Sequence, residues 1–142
     1  MIIEGAFSKI PEVLVNHENK DELYEATMVN LLTSAIILEL KARNIDNPLM
    51  KIQLEKRYPI QNRERCDIYT YFDFLTSDNL ERYGYFKENW IEAKYFGGLN
   101  RNRGSETKSE NAASIIYDLY RLAKNTDNQK NKGLYCLCGY TV

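Results

Sequence analysis

Asp67, Glu92 and Lys94 are the residues whose types and spacing could do chemistry. Glu92 and Lys94 lie in the run Trp90-Ile91-Glu92-Ala93-Lys94-Tyr95-Phe96. That run and the stretch around Asp67 both read as β-strand. Side chains alternate faces along a strand, so Glu92 and Lys94 point the same way and Ala93 points the other. A carboxylate and an ammonium on one face, with a second carboxylate on a nearby strand, can bind a divalent metal and steer a water. This is the pattern of metal-dependent phosphodiester chemistry.

Magnesium takes oxygen ligands in near-octahedral geometry and keeps several waters. Asp67 and Glu92 would supply two carboxylates, and the carbonyl of Ala93 lies between the paired side chains. Lys94 would hold the attacking water and stabilise developing negative charge. A further carboxylate could come from a preceding helix, where Glu22 and Glu25 lie three residues apart with Val29 and Ile36 further along the same face. Glu25, nearer the apolar stretch, is the better candidate. The competing reading puts both acids in an exposed first turn, where they favour the positive end of the helix dipole.

The elements that must position these residues follow from patterning. The chain has 142 residues with 44% hydrophobic and 27% charged content, which is one globular domain with a proper core. A lead-in segment, residues 1–20, contains Pro11 and is read as a small helix over residues 1–15. Residues 21–43 have no Gly or Pro and form the strongest helix, apolar around most of its circumference and stopped by Asn44-Ile45-Asp46-Asn47-Pro48. Strands are expected at 50–58, 65–74 and 89–96. In the second, Cys66, Ile68, Thr70 and Phe72 share one face and Asp67, Tyr69, Tyr71 and Asp73 the other. A helix to about residue 125 begins near a possible capping box, Thr107-x-x-Glu110, and carries a stripe of Ala112, Ile115, Ile116, Leu119, Leu122 and Ala123. Gly133 to Val142 is the last strand.

The order helix with acid, strand, strand with Asp67, strand with Glu92-Ala93-Lys94, helix, strand resembles the PD-(D/E)xK nuclease superfamily, the restriction-endonuclease-like fold. The resemblance covers roughly residues 20–142 and implies an α/β domain with an αβββαβ core, a mixed central sheet flanked by helices. It implies that Asp67 and Glu92, with the Ala93 carbonyl, bind Mg2+ (Mn2+ as a substitute), that Lys94 is the catalytic lysine, and that Glu22 or Glu25 completes the site. Cys66 stands where the family name has Pro. Many members continue with another helix and strand, so a shortened version of the fold is expected. The activity implied is Mg-dependent endonuclease cleavage of DNA, of restriction or defence type. Nucleases that cut both strands commonly pair two active sites, so the resemblance also implies a homodimer.

Other features bound this reading. A net charge of −1 gives no global basic field. Arg101, Arg103 and Lys108 are the nearest thing to a basic strip, placed just past the third strand where a phosphate backbone would run. Tyr69, Tyr71 and Tyr95 could stack on bases, although sheet packing is the more ordinary use. Three cysteines, Cys66, Cys136 and Cys138, without a secretion signal argue for free thiols. His17 is the lone imidazole, read as an exposed residue before the helix. No apolar run has the length of a membrane span, so a cytoplasmic protein without a membrane partner is expected. The alternatives are a non-catalytic nucleic-acid-binding or assembly subunit on the same fold, or a binding protein whose acids form an interface.

Overall fold

In the computed structural model, residues 1–18, 24–60, 63–76, 78, 86–96, 108–126 and 132–140 are described. The elements run α1 (Ile2–Phe7), α2 (Ile10–Val15), α3 (Glu25–Ala42), a 3-10 turn (Pro48–Lys51), β1 (Ile52–Arg57), β2 (Arg65–Tyr71), β3 (Glu88–Phe96), α4 (Lys108–Asn125) and β4 (Lys132–Tyr140). The sheet order is β1-β2-β3-β4. The β1–β2 and β2–β3 pairs are antiparallel, and β3–β4 is parallel. A parallel pair needs a long crossover, and α4 lies in the connection between β3 and β4. The protein is therefore α/β, a four-stranded mixed sheet with helices.

Alternation along β3 sorts the two faces. Ile91, Ala93 and Tyr95 pack with Ile68 against α1 and α3, through Ile3, Met28, Leu32, Ile36 and others. Trp90 turns the other way and packs with Tyr58, Cys66, Tyr69 and Leu122 of α4. Helices thus cover both sides of the sheet. Each fully buried Leu or Ile contributes roughly 1.5–3 kcal/mol. Five buried apolar residues of α3 therefore fix that helix, and with it Glu25 at its first position.

Several expectations are corrected. Residues 1–15 form two helices, because Pro11 is tolerated in the first turn of α2 but not inside one continuous helix. The first strand starts at Ile52 because Pro48 opens a 3-10 turn, and the second ends at Tyr71. On α4 the apolar stripe is not a core stripe: Leu122 is fully buried, whereas Ile116 and Leu119 are exposed. Cys66 joins the cluster on the α4 side instead of sharing the face of Ile68. The expected stop of α3 is present. Asn44 adopts φ 57°, a left-handed conformation that Asn tolerates, and the N–H of Ile45 bonds back to the Leu40 carbonyl at 3.0 Å.

The sheet is irregular at one place. Among the seven residues of β2, Asp67 alone has no cross-strand partner on either side. Pairing with β3 ends at Ile68↔Ile91, and pairing with β1 skips from Leu54↔Ile68 to Lys56↔Cys66. The residue skipped on β1, Glu55, has φ 54°, which is uncommon for a non-glycine residue. This break explains why the face assignment beyond Asp67 does not follow simple alternation.

Candidate functional site

The site lies where β2 parts from β3. A continued ladder would set Cys66 against Ala93 and Asp67 against Glu92. Instead, the Ala93 N–H donates to Asp67 Oδ2 at 2.7 Å. The carboxylate fills the gap between the strands and satisfies a buried amide that would otherwise be unpaired. The N–H and C=O of one strand residue leave the chain on the same side. The Ala93 carbonyl is therefore directed toward the same gap.

Glu92 is 1% exposed, a burial that an acid tolerates only with partners. Tyr58 supplies its hydroxyl to Glu92 Oε1, and Arg121 Nη2 stands 2.6 Å from the same oxygen. Tyr58 is carried there by the β1–β2 hairpin, closed by its own N–H to the Glu64 carbonyl at 3.1 Å. Burial drives the Glu92 carboxyl upward from 4.5. The Tyr58 hydrogen bond and Arg121 pull it down, while Asp67 and Asp118 push it further up. The balance lies at about 7.

Lys94 is held between two helices. Its Nζ lies 3.4 Å from Glu25 Oε2 on α3 and 3.2 Å from Asp118 Oδ2 on α4. Burial disfavours the ammonium, but Asp118 and Glu25 outweigh it and raise its pKa above 10.5. Asp118 is 3% exposed and also meets Arg121 at 3.3 Å. The described side chains thus form one connected set: Glu25, Lys94, Asp118, Arg121 and Glu92, with Asp67 at its edge. In formal charge the four acids exceed the two bases by two.

The structure therefore brings together Asp67, Glu92, Ala93, Lys94 and Glu25, all expected from sequence. Glu25 sits in the first turn of α3 and also reaches Lys94, so the two readings of this residue coexist. Glu22, Arg101, Arg103 and Thr107 lie outside the described residues, and Lys108 is known only as the start of α4. Sequence reasoning missed Tyr58, Asp118 and Arg121. The spacing of Asp118 and Arg121, one helical turn apart with Leu122 beside them, is the signal that could have found two of them. Tyr95 is core and Tyr69 packs edge-on against Trp90, so sheet packing is their use, while Tyr71 is exposed. The three thiols are free. Cys136 and Cys138 lie beside Glu92 and Lys94 in the β3–β4 register, with their sulfurs 4.0 Å apart.

Among the described residues, no three His, Cys, Asp or Glu side chains converge as metal ligands. Two carboxylates and a backbone carbonyl fall below that count, yet they are the hard oxygen donors a magnesium ion takes. With all four acids ionised, the excess of two negative charges also fits a divalent cation. No helix among the described residues is long and apolar enough to cross a membrane. No family model, no curated protein and no solved structure matches this chain.

Proposed function

We propose that this protein is a magnesium-dependent endonuclease that hydrolyses phosphodiester bonds in DNA on a restriction-endonuclease-like core. One observation carries the reading: Asp67 has no partner in either ladder of its strand and turns its carboxylate onto the N–H of Ala93, the residue between Glu92 and Lys94. Charged groups on a central strand are costly without a purpose. Asp67, Glu92 and the Ala93 carbonyl would hold the ion. Bound magnesium lowers the pKa of a coordinated water and neutralises charge on phosphate oxygens.

The chain's own residues do the rest. Ala93 N–H fixes one oxygen of Asp67 and so orients its carboxylate. Glu25 and Asp118 keep Lys94 protonated, so it acts as a donor and not as a base. Its ammonium can orient the attacking water and stabilise charge that develops on the phosphoryl oxygens. The water oxygen bonds to phosphorus as the bond from phosphorus to the leaving sugar oxygen breaks, the attacking water giving a proton to solvent and the leaving oxygen taking one from it. Both α3 and α4 hold Lys94, so its position is set by packing and not by a loop.

The test is cleavage of supercoiled plasmid with Mg2+, lost in Glu92→Ala and Lys94→Ala. Purified protein that is inert on duplex, single-stranded and branched DNA with Mg2+ or Mn2+ would contradict the reading.

One observation favours a second reading, a non-catalytic binding module. Glu92 is buried and already bonded to Tyr58 and Arg121, as a structural ion pair would be. A structural Glu92 predicts that Glu92→Gln costs about 3–5 kcal/mol by removing one of the two carboxylates that meet Arg121. A site acid held against its neighbours predicts that the same change leaves the metal-free protein at neutral pH as stable or more so.

A further inference from the structure

Glu92 is the carboxylate on which the proposed reaction depends, and a guanidinium covers it. Arg121 Nη2 lies 2.6 Å from Glu92 Oε1 and 3.3 Å from Asp118 Oδ1. The rings of Tyr58 and Tyr117 each lie 6.0 Å from its Cζ. Its Nε is buried and has no hydrogen-bond partner among the described residues. A buried charged donor without an acceptor is costly. The group is therefore incompletely used in this arrangement. Its planar fork of donors matches two oxygens of a phosphate.

The four acids of the set exceed its two bases by two. A divalent cation on Asp67 and Glu92 would bring the set, Arg121 included, to formal neutrality, and would repel the guanidinium from Glu92 at close range. A phosphodiester brought to the ion adds the anion to which the displaced fork is matched. Arg121 is carried by α4, anchored by the fully buried Leu122, so its side chain and not its backbone has to move.

We propose that Arg121 is a phosphate-binding residue that occupies Glu92 as a stand-in cation until a divalent ion and a phosphodiester arrive. This rests on the nuclease reading above. It goes further by assigning an unassigned residue to the substrate, and it makes metal and substrate binding mutually reinforcing. Coupling of this kind is reciprocal. Metal alone has to displace Arg121 from Glu92, whereas metal with a phosphodiester gives the guanidinium somewhere to go.

The experiment is calorimetric titration of Mn2+ into the full chain, paired with plasmid cleavage. Removing the competing cation in Arg121→Gln is expected to tighten Mn2+ binding by about fivefold or more, the lower end of ordinary site-to-site coupling, while cleavage slows. Arg121→Lys guards against a variant that fails to fold. The lysine is shorter and keeps the charge without the planar fork of donors, so Mn2+ should bind more tightly than to wild type, by a smaller factor, and cleavage should fall. If wild type binds Mn2+ and neither variant binds it more tightly, the inference is overturned and the nuclease reading stands. If wild type and both variants take no Mn2+, both are overturned.

Discussion

The carboxylate of Asp67 accepts the backbone N–H of Ala93 at 2.7 Å, across a gap where the two strands have stopped pairing. One acid thus has two jobs. It satisfies a fully buried amide, and its charge acts on Glu92.

Those jobs separate by substitution. Asp67→Ala removes the acceptor, and leaving a buried N–H unpaired costs about 1–3 kcal/mol. Asp67→Asn keeps a carbonyl oxygen for Ala93 and discards the charge. Urea denaturation is expected to place the Asn variant close to wild type and the Ala variant well below it. Both should lose Mn2+ binding by calorimetry.

Glu92 makes the metal-free protein sensitive to pH. Its carboxyl is raised from 4.5 to about 7, chiefly by burial. The folded state therefore binds more protons than the unfolded state between those values. Its contribution is fully present below about 4.5 and is lost as pH rises through 7. Thermal melts of metal-free protein should show this decline over that window. Glu92→Gln should flatten it, and a Gln variant with the full decline would show that Glu92 is not its source.

Much of this arrangement was legible in the sequence, because strand alternation alone put Glu92 and Lys94 on one face. Glu25 was only half legible, because an acid in a first turn is equally explained by the helix dipole and Glu22 stood as an alternative. Asp118 and Arg121 were not legible. On α4 they lie beside apolar residues of which Ile116 and Leu119 turn out exposed, so the helical pattern did not mark the face that meets the sheet. Tyr58 was hidden because its role depends on a hairpin bringing it against residue 92. The break at Asp67 was also invisible, since alternation assumes an unbroken ladder.

The far end of β3 offers a control for the site. Gly133 of β4 lies against Asn89, and an added Cβ would come within 2.4 Å of Asn89 Oδ1. Asn89 in turn donates to Thr70 at 3.1 Å and to the Phe86 carbonyl at 3.0 Å. Gly133→Ala is expected to cost about 1–3 kcal/mol, as overpacking does. It should lower the melting temperature while Mn2+ affinity, measured well below that temperature, stays at the wild-type level.

The most direct measurement is a crystal structure of the protein soaked in Mn2+, read by anomalous scattering. We expect one peak within bonding distance of Asp67, Glu92 and the Ala93 carbonyl oxygen, with Arg121 moved off Glu92. Crystals that take up no ion there at high Mn2+, with Arg121 still on Glu92, would contradict the account.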